Sequence, residues 1–137
     1  MKRVMTLALL LLCTAFAGRA QEADYSVDRV RHEFGELASG KSYTAVFTVT
    51  SAGEAPLVLI DAQTGCKCTK AAFAKKPLRK GANAAVTVMF DAAEEGFFDK
   101  QIRIRTNAPG KRAVLVLRIT GDVRKNSGRN EKQLVNE

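Results

Sequence analysis

The chain is poor in the side chains that most enzyme chemistry requires. It holds one histidine, His32, and no tryptophan. A single imidazole leaves no plausible nucleophile triad, and the sequence contains no G-x-S-x-G elbow, phosphate-binding glycine loop or H-E-x-x-H pair. No catalytic residue is therefore assigned, and no cofactor is expected. Cysteine is also scarce: Cys13 stands near the start, and Cys66 and Cys68 stand one residue apart. Such a pair encloses a ring of only three residues, so it cannot staple a fold, and the core must hold by burial. Acids are outnumbered 14 to 22 by lysine and arginine, for a net charge of +8, and none occurs from Ala62 through Phe90. Among the basic residues from Lys67 to Lys80 the only aromatic is Phe73, so the interleaved stacking surface of a single-strand nucleic-acid binder is missing. Nucleic acid is not expected as a partner.

Long apolar runs are absent except for one. Met1-Lys2-Arg3 leads into Val4 through Ala17, a run too short and one-sided to span a membrane and followed by small residues. This pattern is that of an export signal, residues 1–20, with cleavage favoured after Ala20. A lipid anchor on Cys13 is the lesser alternative, because the preceding Leu12 is large. Lys2, Arg3 and Arg19 would leave with the signal and no acid would, giving a net charge of +5. The expected location is the periplasm or cell envelope, with no transmembrane segment. The remaining length suits one domain, residues 21–123, followed by a polar, solvated tail at 124–137.

What the chain does have is strand periodicity. Tyr43, Ala45, Phe47 and Val49 alternate with threonines, and Val86-Thr87-Val88-Met89-Phe90 repeats the device. In Gln101-Ile102-Arg103-Ile104-Arg105-Thr106 isoleucines point one way and arginines the other. Ala113 to Thr120 is apolar on both faces at first, as in a covered or interior strand. Pro56 to Ile60 is shorter, and Tyr25 to Val30 is a weaker first strand. Turn signals separate the runs at Ala52-Gly53-Glu54, Lys80 to Asn83, Glu94-Glu95-Gly96 and Asn107 to Gly110. No sustained helical period occurs; Ala71 to Lys76 allows one turn at most. Six or seven short strands at this spacing predict an all-β fold, an antiparallel β-sandwich. Phe34-Gly35 reads as a plug followed by a tight bend. Of Phe97 and Phe98, one must face outward, where it is a candidate for partner contact.

In order along the chain stand His32-Glu33-Phe34-Gly35-Glu36-Leu37 with Gly40, Gly53-Glu54-Ala55-Pro56-Leu57, Cys66-Lys67-Cys68-Thr69, Pro77-Leu78 before Lys80-Gly81, Gly96-Phe97-Phe98 before Lys100, Thr106-Asn107 and Gly121. Together they resemble the bacterial family of domains of unknown function DUF1573, over roughly residues 30–123. The resemblance implies an immunoglobulin-like sandwich of about seven strands, related to modules of cilium- and centrosome-associated proteins and usually exported. It implies no reaction. Two departures stand out. Lys67 occupies a position that is usually glycine between the family's cysteines, and Thr50-Ser51 replaces a frequent asparagine.

The pair Cys66 and Cys68 permits three chemistries. It can be a structural pair, packed or locally bridged. It can be a redox dithiol, since a bond between residues i and i+2 closes a tight ring and the lysines around it favour thiolate. It can be a Cu(I) clip, with His32 and Met89 as conceivable further ligands, although the surrounding positive charge opposes a cation and zinc would want a fuller set. No metal site is assigned. Lys67, Lys70, Lys75, Lys76, Arg79 and Lys80 are the candidate contacts for an anionic envelope component or another envelope protein, weighed against plain solvation of a long loop. The sequence thus points to a non-enzymatic binding or scaffolding module, with thiol–disulfide exchange or copper binding at the cysteine pair as alternatives.

Overall fold

A computed structural model describes residues 20–125. All but the last residue of the expected export signal, and nearly all of the polar tail, lie outside these residues. Eight strands form two four-stranded sheets. They are β1 (Tyr25–Val27), β2 (Arg31–Ala38), β3 (Ser42–Ser51), β4 (Leu59–Thr64), β5 (Thr69–Ala72), β6 (Asn83–Asp91), β7 (Gly96–Thr106) and β8 (Val114–Arg124). One sheet runs β1-β3-β6-β5 and the other β2-β8-β7-β4. The sheets pack face to face, an immunoglobulin-like sandwich in which each strand contributes alternate side chains to the core.

The alternation is visible residue by residue. Phe47 and Val49 on β3, Val86 and Val88 on β6, Ile102 and Ile104 on β7, and Leu117 and Ile119 on β8 are fully enclosed. Arg103 and Arg105 face water on the other side of β7. β8 lies between β2 and β7, as suits an interior strand, but its outer face is open: Val114 and Val116 are exposed.

Several details refine or correct the sequence expectation. The weak first strand is two strands, one in each sheet. Asp28 makes the crossing, because its backbone N–H donates to the Thr48 carbonyl while its carboxylate accepts from the Thr48 amide. The crossing delivers β2 parallel to β8, so the second sheet is mixed rather than wholly antiparallel. The bend expected after Phe34 lies inside β2, where Gly35, at φ 72°, permits a bulge between Glu33 and Glu36. Ala71–Lys76 forms no helical turn; its start belongs to β5, and the chain beyond runs on to a two-residue bridge between Leu78 and Leu57. The strand expected at Pro56–Ile60 begins at Leu59 and continues to Thr64.

The sandwich has two chemically different ends. At one, Gly53 lies so close to residues 22–24 that a Cβ there would sit 2.3 Å from the Glu22 carbonyl oxygen. Arg112 closes this end by bonding Asp24 and the Tyr25 carbonyl while covering the Tyr25 ring. At the other end the β4–β5 crossing, which carries both cysteines, meets the β6–β7 loop.

Candidate functional site

β4 ends at Thr64 and β5 begins at Thr69, so Gly65–Cys68 must carry the chain from one sheet to the other in four residues. Backbone bonds hold the crossing. The Thr69 amide donates to the Cys66 carbonyl at 3.2 Å, and the Thr64 hydroxyl donates to the same oxygen at 3.1 Å. The Asp91 amide donates to the Cys68 carbonyl at 2.8 Å, tying the crossing to the start of the β6–β7 loop. Cys66 and Cys68 are joined as a disulfide, with Cα atoms 5.2 Å apart. Both are half-buried, and Cys68 packs against the core.

The disulfide forms one wall of a cleft of about 270 Å³ whose other wall is the β6–β7 loop and the start of β7. The apolar floor is aromatic. Phe90 and Phe98 stack at 4.0 Å, and Phe34 leans on Phe98 at 6.4 Å. Phe98 fits only because Gly121 lies opposite it on β8. Phe97, its neighbour, turns outward and is 73% exposed. That is the division expected of an alternating strand. Asp91, Glu94, Glu95 and Asp99 also line the cleft, with Lys100. The cysteines therefore do not sit in a purely basic field: the fold brings four carboxylates to a segment whose own sequence has none.

The six candidate cations do not form one patch. Lys67 is exposed at the turn between the cysteines, and Lys70 is exposed on β5 beside Met89. Lys75, Lys76, Arg79 and Lys80 follow on the β5–β6 connection, which ends where the Gly81 amide meets the Ser51 carbonyl, at the opposite end of the sandwich. β6 alone separates the two ends by roughly 27 Å, at about 3.4 Å per residue. Lys80 pairs with Glu54.

His32 and Met89 do not complete a copper set around the cysteines. His32 lies on β2, bonded to Arg29 and edge-on to Phe34 at 4.6 Å, and Met89 faces outward on β6 in the other sheet. Neither lines the cleft. Burial, then the Arg29 charge, holds the His32 imidazole below its ordinary pKa. Among the described residues no group of three or more His, Cys, Asp and Glu side chains could hold a metal ion, and no helix is long and apolar enough to cross a membrane.

The features singled out in the sequence lie on this frame in their expected order, from the Phe34-Gly35 bulge to Gly121 under Phe98. The family model for DUF1573, a protein of unknown function, matches residues 25–123. The chain belongs to the DUF1573 family. No curated protein matches this DUF1573 chain. Among solved structures, a protein of unknown function from Porphyromonas gingivalis W83 superposes with a TM-score of 0.65 at 16% identity, over 79% of this chain and 51% of that one. The PapD-like domain 7 of human CEP192 gives 0.66 at 8% identity, over 80% and 91%. The VesB protease of Vibrio cholerae gives 0.60 at 17% identity, over 74% and 32%. This chain thus spans about half of the Porphyromonas protein and a third of the protease. At such identities the likeness is one of fold.

Proposed function

We propose that this DUF1573 chain is a non-enzymatic, exported module of the cell envelope that binds or scaffolds another envelope protein. The observation that carries the reading is Phe97. A phenylalanine 73% exposed on a regular strand, beside a cleft with an aromatic floor, has the character of a binding anchor. The scatter of the six cations over both ends favours a protein over an anionic polymer, which would ask for a continuous basic track. In this reading Cys66–Cys68 shapes the crossing and takes no part in chemistry.

A second reading is favoured by the position of the disulfide on an open cleft. A partner thiolate would attack one sulfur and expel the other as thiolate. A second partner thiol would then resolve the mixed disulfide, leaving the partner oxidised and Cys66 and Cys68 reduced. Affinity purification of the tagged full chain after cross-linking in its native cells separates the two. The binding module predicts one partner recovered in near-stoichiometric yield, equally from wild type and from the Cys66→Ser, Cys68→Ser double variant, with no oxidation of a model dithiol by the purified chain. Oxidation of that dithiol, or capture that depends on the cysteines, supports exchange instead. Absence of any partner overturns the binding reading.

A further inference from the structure

The cleft lies in the most acidic region of a basic protein. Four carboxylates line it, Asp91, Glu94, Glu95 and Asp99, against the single cation Lys100. On the other side of Phe97 a shallow groove runs over the β2 bulge, and Glu33, Glu36 and Asp122 line it against Arg31 alone. Phe97 borders both. Half of the chain's 14 acids thus flank one exposed aromatic ring, although the whole chain carries a net charge of +8.

Internal ion pairs account for only part of this charge. Arg31 meets Glu33, Arg118 meets Asp99, and Arg124 bridges Glu36 and Asp122, all at 3.0–3.4 Å and exposed. Asp91 accepts from the Ser42 hydroxyl. Glu94 and Glu95 have no salt-bridge partner among the described residues, and both are exposed on the cleft rim. The apolar anchor and the uncompensated charge therefore lie side by side. The support is firm: β7 pairs with β8 from Gly96 to Arg105, Phe98 is clamped between Phe90 and the Gly121 position, and the Asp91 amide is bonded to Cys68.

Resting on the binding-module reading, we infer that the surface around Phe97 docks a cationic segment of a partner protein, one with an apolar side chain set between lysines or arginines. The apolar side chain covers Phe97 and enters the cleft over Phe98 and the disulfide; the flanking cations meet Glu94 and Glu95 on one side and the groove carboxylates on the other. Charge pairing at such an exposed rim sets orientation and encounter rate, while the aromatic contact supplies most of the affinity. An anionic segment would be repelled here, although total charge and the basic run in the sequence both suggest an anionic partner.

The test is an amide NMR titration of the full chain with three short probe peptides: Lys-Lys-Leu-Phe-Lys-Lys, its counterpart with glutamate for lysine, and Lys-Lys-Gly-Gly-Lys-Lys. The first is expected to shift amides of residues 91–100 and 66–68, and to weaken at least tenfold both in the Glu94→Lys, Glu95→Lys variant and in Phe97→Ser. The third binds more weakly, and the glutamate peptide leaves those amides unmoved. Phe97 is exposed, so its variant keeps the wild-type spectrum elsewhere, which certifies the fold. Equal binding of the glutamate peptide at the cleft, shifts centred elsewhere, or indifference to both variants would overturn the inference. So would concentration-dependent self-association abolished by Phe97→Ser, which would make a second copy the occupant. If the partner recovered from native cells still binds both variants, this inference fails and the binding-module reading stands; if no partner is recovered, that reading itself fails.

Discussion

Replacing Gly121 with alanine probes the packing that builds the cleft floor. Gly121 faces Phe98 across the β7–β8 register. A Cβ at 121 would sit 2.8 Å from two carbons of the Phe98 ring and 3.1 Å from the Gly35 carbonyl oxygen. The ring has nowhere easy to go, because Phe90 is stacked on it at 4.0 Å with planes 23° apart. Overpacking of this kind costs about 1–3 kcal/mol, and the stiffer unfolded chain of an alanine variant returns roughly 0.4–1 kcal/mol. A net loss of about 1–2 kcal/mol should lower Tm by roughly 5–15 °C in a domain of this size. Urea and thermal unfolding followed by far-UV circular dichroism read it. The decisive control is Phe98→Leu, which removes the ring atoms that alanine meets. The double variant should be more stable than the sum of the single effects by about 0.5–3 kcal/mol. A Gly121→Ala protein as stable as wild type, or strictly additive effects, would refute the packing described here.

Gly53→Ala should cost more, about 3 kcal/mol, because the obstacles are backbone atoms, the Glu22 oxygen at 2.3 Å and the Asp24 nitrogen at 2.4 Å. Hydrogen exchange should show the Ser26 amide, which the β1–β3 register aims at Thr50, released first, and unchanged protection there would contradict this. The Cys66→Ser, Cys68→Ser variant should keep its strand content and lose at most about 1.6 kcal/mol, the chain-entropy limit for a three-residue ring; calorimetry checks it, and a collapse of the fold would show that the pair is essential. Stability should also depend on pH in two windows. The His32 imidazole is held below its ordinary value, so folding favours the neutral form: stability is full above about pH 6.5 and declines as pH falls through that value, a step that His32→Gln removes. Asp28, which accepts the Thr48 amide, and Asp24, which accepts the Tyr25 amide and the Arg112 side chain, are held below the usual carboxylate range. Their contribution is full above about pH 4 and lost as pH falls below it. Urea midpoints measured from pH 8 to pH 3 should show both steps, the lower one reduced in Asp28→Asn.

The strands were legible wherever one face is dry and the other wet. Ile102 and Ile104 against Arg103 and Arg105 define β7 from sequence alone, and Phe47 and Val49 against threonines define β3, because a two-residue period has one structural reading. The split of the first strand was not, since the switch at Asp28 depends on a bond to Thr48, twenty residues away, on a strand whose position is unknown beforehand. Much the same holds for the site. Cys66 and Cys68 were conspicuous, as were the lysines around them, and a local sequence window gave them a basic setting. The carboxylates that face them come from a loop more than twenty residues on, brought there by the β5–β6 pairing of Thr69 with Phe90 and by the Asp91–Cys68 bond. Glu94-Glu95-Gly96 announced a turn, and Phe97-Phe98 announced one exposed ring, but nothing in either signal said which other loop they would meet. Conversely, the long basic run looked like a single patch only because it is continuous in sequence; strand β5 and the connection after it spread it along the sandwich.

Site-specific photo-cross-linking in the native cells tests directly whether Phe97 is the anchor for a partner. A benzophenone side chain placed at position 97 of the full chain lies at the anchor, and one placed at position 87, on the outer face of the other sheet, lies far from it. Docking at Phe97 predicts a discrete protein adduct from position 97 that disappears when Glu94 and Glu95 are changed to lysine, and none from position 87. An adduct from position 87 alone, or one from position 97 that survives the charge reversal undiminished, would contradict it.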